Sequence, residues 1–178
     1  MDSFTQNYLQ CKIPEAMMMG SPPPDLVLRP FGFQVDLVSA HCVSGCLTIT
    51  ESCCQPFKVL HGGVTSLIAE GLASIGAHVA SGYRRIAGIE LNINHLKAAP
   101  LGTAVHASAK PITLGKRIQV WEVKFWKIPA SDVSSRTDSS TLPKNSVLAV
   151  SRVTFLVGLP VSKGASRAPE AVKIPSSM

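Results

Sequence analysis

The stretch HGGVTSLIAEGLASIGAHVA, residues 61–80, carries a single formal charge, which is Glu70. Its apolar residues recur at spacings of three and four, which predicts an α-helix over residues 64–80. The pair Ser81-Gly82 is typical of a helix end. A helix that is apolar or small on nearly every side is buried rather than laid on a surface. Five small residues would let a sheet or a partner helix approach closely: Ala69, Gly71, Ala73, Gly76 and Ala77.

Glu70 is then a carboxylate in or near a core, where an unpaired charge costs several kcal/mol. Two interpretations follow from the helix alone, and both stay open: an ion pair with an arginine from another element, or a functional group. The polar residues of the helix recur every four positions and therefore form one stripe. They are Gly62, Ser66, Glu70, Ser74 and His78.

The start of the helix, His61-Gly62-Gly63, has no side chain beyond the histidine. Bare N–H groups in a first helical turn suit an anion or a developing oxyanion. Thioester hydrolysis builds negative charge on the carbonyl oxygen, and such donors stabilise that charge in the transition state. A carboxylate about two turns downstream, such as Glu70, can attack the carbonyl or activate a water. Gln55 and His61 supply further hydrogen-bond donors.

The segments around the helix are strand-like. Alternating and β-branched residues predict one or two strands between Phe31 and Glu51, three strands around 86–97, 103–113 and 117–128, and a last strand over Val147–Val157. Strands, one helix and then four more strands predict an α+β domain with the helix packed on an antiparallel sheet. Residues 129–146 have almost no apolar content and are typical of a long flexible hairpin loop.

The chain of 178 residues fits one domain with tails, expected at residues 1–29 (flexible arm), 30–158 (domain) and 159–178 (flexible tail). The net charge is +6, but the basic residues are scattered, which does not favour nucleic acid as a partner. No apolar run reaches the roughly 20 residues of a membrane span, and the N-terminus resembles neither a signal nor a transit peptide. We therefore expect no membrane partner.

Four of the five cysteines fall between Cys42 and Cys54, in a chain without a secretory signal. Reduced thiols are expected in that case. A zinc site is the alternative, because six possible ligands lie close in sequence: His41, Cys42, Cys46, Cys53, Cys54 and His61. The C-x3-C spacing has no second matching pair, and two of the cysteines are adjacent, so buried structural thiols are favoured over a metal site.

Residues 55–63, QPFKVLHGG, followed by Ala69-Glu70, resemble the hotdog-fold thioesterases of the 4-hydroxybenzoyl-CoA and 1,4-dihydroxy-2-naphthoyl-CoA group, in particular their plant peroxisomal members. A glutamine six residues before the histidine and a glutamate nine after it is the catalytic spacing of that group. The likeness covers about residues 30–157 and includes GIELNINHLK at 88–97 and GKRIQVW at 115–121.

The resemblance implies a role for each matching residue. Glu70 would be the nucleophile or general base, and the Gly62 N–H would be the main oxyanion donor. Gln55 and His61 would position the thioester or a water, while Ser74 would orient the glutamate. Five residues match segments that border the CoA nucleotide: His95, Lys97, Gly115, Lys116 and Arg117. The alternative for the basic ones is a solvated strand end.

The resemblance also implies a substrate and an assembly. The substrate would be an aromatic acyl-CoA, and the resemblance indicates 1,4-dihydroxy-2-naphthoyl-CoA on the phylloquinone pathway, with no metal or redox cofactor. The protein would be a homo-oligomer, a dimer of dimers, with Glu70 from one subunit and the oxyanion donors from its neighbour at each site. The alternatives are a hotdog hydratase or dehydratase and a non-catalytic acyl-CoA-binding protein.

The last three residues, Ser176-Ser177-Met178, resemble a weak variant of the peroxisomal S-K-L address, since the basic middle residue is missing. We therefore expect a peroxisomal location, and otherwise a cytoplasmic one. An arbitrary serine-rich end is the alternative interpretation of this tripeptide.

Overall fold

A long helix and six strands form the part of the chain that the computed structural model describes, residues 27–134 and 142–160. The helix, α1, spans Gly62–Ala80. The strands are β1 (Gln34–Val38), β2 (Val43–Thr48), β3 (Ile86–His95), β4 (Ala104–Leu114), β5 (Ile118–Ile128) and β6 (Val147–Val157). The arm predicted at residues 1–29 and the tail predicted at 159–178 lie almost entirely outside the described residues.

The six strands form one sheet in the order β1-β2-β4-β5-β6-β3, and every neighbouring pair is antiparallel. This confirms the predicted α+β hotdog architecture, in which one long helix packs on an antiparallel sheet. The helix begins two residues earlier than its apolar pattern predicts, because His61 caps it and brings Gly62 and Gly63 into the first turn. The two edges of the described sheet are β1 and β3.

The small residues of α1 face the protein's own sheet rather than a partner helix. A Cβ added at Gly76 would lie 2.5 Å from a ring carbon of Trp121, so the helix approaches β5 more closely than any larger residue would allow. Trp121 is fully buried, and its indole N–H donates to Gln119 Oε1 at 3.1 Å. By length and composition α1 would also be apolar enough to cross a membrane, but half of that stretch is buried inside the domain.

The segment after β5 differs from the long loop predicted at residues 129–146. Within the described residues it contains two 3-10 turns, Ala130–Ser134 and Lys144–Ser146. Val133 and Leu142, two of its few apolar residues, pack on Cys46 and neighbouring side chains. Cys46 points away from α1, since side chains alternate along a strand and the adjacent Leu47 belongs to the helix-side core. The described ends of this segment, at Val133 and Leu142, therefore cover part of the outer face of the sheet.

Replacing Gly76 by Ala should destabilise the domain, because the new methyl group would overlap the ring of Trp121. Overpacking of this kind typically costs about 1–3 kcal/mol. The measurement is urea unfolding of Gly76→Ala, Trp121→Leu and the double variant. In the Trp121→Leu background the ring is gone, and Gly→Ala should be neutral or stabilising by up to about 1 kcal/mol, as in an open helix. An equal loss in both backgrounds would contradict this explanation.

Candidate active site

The N-terminus of α1 exposes one backbone donor in particular. His61 is the N-cap, and its Nδ1 accepts the N–H of Gly63 at 2.9 Å. The N–H groups of Val64 and Thr65 both donate to the carbonyl of His61. Gly62 is the first helical residue, so its own N–H has no acceptor within the helix. Among the first-turn donors, Gly62 is therefore the one left to face a ligand.

Gln55 is held beside this end of the helix by a tight turn. Its N–H donates to the Val59 carbonyl and its carbonyl accepts from the Lys58 N–H, both at 2.9 Å. Lys58 has a positive φ of 58° and closes the turn with an exposed ion pair to Glu51 at 2.7 Å. The hydrogen bond from Lys58 lowers the pKa of Glu51 and, reciprocally, raises the pKa of Lys58. The turn leaves Gln55 half-buried and directed towards the same opening as His61 and Gly62.

A cavity of about 410 Å³ lies at this point. Its polar lining comprises Gln55, His61, Gly62, Thr65, His95 and Lys97, and its apolar lining includes Leu60, Phe125, Leu148 and Ala149. A cavity of a few hundred Å³ that combines apolar wall residues with convergent polar groups is typical of a small-molecule site. A thioester carbonyl can lie against the donors while an apolar part of the same molecule contacts the wall.

Sequence reasoning missed several of these lining residues. Thr65 could have been found, since it lies three residues after Gly62 and so shares its helix face. Phe125, Leu148 and Ala149 reach the cavity from β5 and β6, and nothing in their local pattern distinguishes them from other core residues.

Glu70 does not line this cavity. It lies about two turns further along α1, is half-buried, and faces the edge strand β3: a Cβ added at Gly88 would be 3.6 Å from its Oε1. Ser74 follows one turn later and is also half-buried. One chain thus brings Gln55, His61 and Gly62 together but keeps Glu70 and Ser74 apart from them.

The predicted CoA contacts also fall into two groups. His95 is the last residue of β3 and Lys97 lies two residues beyond it, beside the cavity. A Cβ at Gly62 would be 3.1 Å from His95 Nε2, and the Lys97 ammonium group donates to the Asn145 carbonyl. The turn of Gly115, Lys116 and Arg117 lies at the opposite end of the sheet, because the adjoining Ile118 pairs with Leu156 next to the start of β3. At about 3.3 Å per residue, the length of β3 separates the two groups by roughly 30 Å.

The sequence profile of the thioesterase superfamily matches residues 57–133. Arabidopsis thaliana 1,4-dihydroxy-2-naphthoyl-CoA thioesterase 2 is 50% identical over 150 residues, which cover 84% of this chain and 90% of that protein. The 1,4-dihydroxy-2-naphthoyl-CoA hydrolase of Listeria monocytogenes is 47% identical over 80 residues, 44% of this chain and 64% of that protein.

The chain belongs to the thioesterase superfamily. The predicted enzyme class, a thioester hydrolase, is thereby confirmed. Solved structures agree on the fold: a Haemophilus influenzae thioesterase superposes with a TM-score of 0.62 at 24% identity, covering 84% of this chain and 100% of that one. A hypothetical thioesterase from Streptococcus pneumoniae, solved with coenzyme A, gives 0.59 at 13% identity, covering 73% and 89%.

Two substitutions of His61 should separate its capping role from a role in the chemistry. His61→Ala removes the acceptor for the Gly63 N–H and should cost about 1 kcal/mol of stability. His61→Asn keeps a side-chain acceptor at the N-cap and should retain most of that stability. If the ring also positions the thioester or a water, both variants lose kcat. The measurements are thermal unfolding and thiol release from acyl-CoA; full turnover by His61→Asn would restrict His61 to capping.

Proposed function

We propose that this protein hydrolyses 1,4-dihydroxy-2-naphthoyl-CoA to the free acid and CoA. The observation that carries the proposal is the 50% identity to the Arabidopsis thioesterase of that name, which extends over 84% of this chain. Hydrolases of the same name from Listeria monocytogenes and Escherichia coli match shorter segments, at 47% and 37% identity. The resemblance to the plant members also supports a place in phylloquinone synthesis.

In the proposed reaction the thioester carbonyl lies against the Gly62 N–H, which stabilises the oxyanion as it forms. Glu70 either attacks the carbonyl carbon, giving a mixed anhydride that water then opens, or takes a proton from a water that attacks directly. In both routes the C–S bond breaks, the CoA thiolate leaves and is protonated, and one water is consumed.

The separation of Glu70 from the cavity supports the prediction that each site is shared by two chains. β3 is an edge strand, and Ile89 and Leu91 are exposed on it. An exposed edge with apolar side chains is a ready template for pairing with another strand. Full-length antiparallel pairing of β3 with its copy places the start of each strand beside the end of the other.

This pairing has a direct consequence for the site. Glu70 faces Gly88 near the start of β3, whereas Gly62 faces His95 at its end. Pairing two β3 strands would therefore bring Glu70 of one copy to the Gly62 cavity of the other. The alignment of the two strands is fixed to within about two residues, because of the bulge between Gly88 and Glu90. The turn of Lys116 and Arg117 would reach the same end as the second copy's Lys97. A further pairing into a dimer of dimers stays a prediction.

The peroxisomal location also stays a prediction. It depends on Ser176-Ser177-Met178, which lie outside the described residues. Fusion of the last residues of the chain to a fluorescent protein, with and without Met178, would test it in plant cells.

Glu70→Gln should lower kcat by at least ~100-fold while leaving the fold intact, because an amide of the same shape neither attacks nor accepts a proton. The measurement is thiol release from 1,4-dihydroxy-2-naphthoyl-CoA and from a panel of other acyl-CoAs. Glu122→Gln is the matched control, since Glu122 is a partly exposed glutamate paired with Lys124 on the sheet. Near-normal turnover by a folded Glu70→Gln variant would contradict the assignment, and acyl-CoA binding without thiol release by the wild type would favour the non-catalytic alternative.

Two inactive variants should restore activity when they are refolded together. Gly62→Pro removes the proposed oxyanion donor at the first helical position, where proline is well tolerated after an extended residue such as His61. Gly62→Ala is the control, because it adds a Cβ but keeps the N–H. Random pairing of Gly62→Pro with Glu70→Gln chains should give about a quarter of the wild-type sites, since half the dimers are hybrids with one intact site each.

Native mass spectrometry of chains that differ in mass would show whether hybrids form. Hybrid dimers without thiol release would place the whole site within one chain and overturn the shared-site proposal.

A further inference from the structure

Three possible metal ligands converge on the outer face of the sheet, the face away from α1. Cys46 and His106 are cross-strand partners on β2 and β4, and the Cys46 sulfur lies 3.3 Å from His106 Nδ1. The same sulfur lies 3.9 Å from Oδ2 of Asp36 on β1. One ligand atom from each of the three side chains lies within 4.8 Å of the other two. Cys46 and His106 are 2% and 0% exposed.

His106 presents Nδ1 to this cluster. Nδ1 lies against the Cys46 sulfur, whereas Nε2 is buried and has no hydrogen-bond partner among the described residues. Nδ1 is therefore the nitrogen that would bind an ion.

The chemistry of the three side chains suits a cation. A thiolate, an imidazole and a carboxylate are the ligand types of zinc sites. A bound ion would displace the thiol proton and balance the charge of the Asp36 carboxylate. The Ala130–Ser134 turn lies beside this cluster, since its Val133 packs against Cys46.

We propose that Asp36, Cys46 and His106 bind one zinc-class divalent ion, which leaves the fourth tetrahedral position open. Tetrahedral zinc with bonds of about 2.3 Å to sulfur and 2.0–2.1 Å to nitrogen separates these two atoms by roughly 3.6 Å. The observed separations from the Cys46 sulfur, 3.3 and 3.9 Å, lie on either side of that value. A thiolate and an imidazole select zinc over magnesium or calcium.

The ion would fasten β1, β2 and β4 to one another on the outer face of the sheet. This role is structural, since the cluster lies on the face opposite the helix that carries Gly62 and Glu70. The proposed site shares only Cys46 with the six ligands that proximity in sequence suggests. Asp36 and His106 are distant along the chain and are brought to Cys46 by strand pairing.

The test uses the full chain without an affinity tag, stripped with a chelator and reloaded. Zinc content by mass spectrometry should be one ion per chain. Cobalt in place of zinc should give a near-ultraviolet band from cobalt–thiolate charge transfer and the strong visible absorption of a tetrahedral site. Zinc should then displace the cobalt. A wild-type protein that keeps no stoichiometric metal and shows no thiolate band overturns the proposal, and this result needs no variant to fold.

Variants identify the ligands. Cys46→Ser should remove the thiolate band and weaken zinc binding by roughly 100-fold or more, since loss of even an outer-shell partner typically costs 10–100-fold. Cys54 is a half-buried cysteine outside the cluster, and Cys54→Ser is the matched control. It should change neither the thiolate band nor the affinity for zinc. Asp36→Asn should keep the band but weaken binding, because it removes the carboxylate and leaves the thiolate in place. Zinc should raise the melting temperature of the wild type and not that of Cys46→Ser; an unchanged band in folded Cys46→Ser would place the metal elsewhere.

Discussion

Gly76 of α1 lies so close to the ring of Trp121 in β5 that a Cβ would not fit between them. The rest of the fold depends on this close approach, because it fixes both the depth and the rotation of the helix on the sheet. With Gly76, Ala69 and Ala73 turned inwards and buried, the polar stripe of α1 is turned towards β3. Burial of the small residues on one side of the helix therefore determines where the polar residues on the other side lie. For that reason Glu70 lies beside Gly88.

The fold could be predicted from the sequence because two periodicities, the helical spacing and the strand alternation, are strong. The three- and four-residue spacing of α1 and the alternation in β4, β5 and β6 each select one structure over 11 residues or more. The start of the helix was less accessible, since Gly62 and Gly63 have poor helix propensity and enter the helix through the cap at His61. Local pattern could not show the outer-face cluster either. Asp36, Cys46 and His106 meet only through strand order, and a register shifted by one residue would separate them.

The candidate site residues could be predicted from the sequence only where they lie close together along the chain. Gln55, His61 and Gly62 are close in sequence, and a single turn before α1 is enough to bring them to one cavity. The distance between Lys97 and Lys116 depends on how the whole sheet is arranged, so their matching motifs gave no indication that the two residues lie at opposite ends of the sheet. Assembly depends on which surfaces a chain exposes, and the strand order is needed to identify β3 as an exposed edge.

Helix geometry explains why this chemistry would need two chains. Gly62 and Glu70 are eight residues apart on α1, and at 1.5 Å per residue their backbones are about 12 Å apart along the axis. A thioester carbon within about 3.5 Å of a carboxylate oxygen, with its own oxygen at hydrogen-bond distance from a backbone N–H, spans much less than that. A glutamate side chain cannot close the gap by extending along the helix, because side chains project outwards from the helix axis. In the proposed dimer, pairing of two β3 edges would bring Glu70 of one copy to the Gly62 donor of the other, so one assembly would account for both the exposed edge and the divided site.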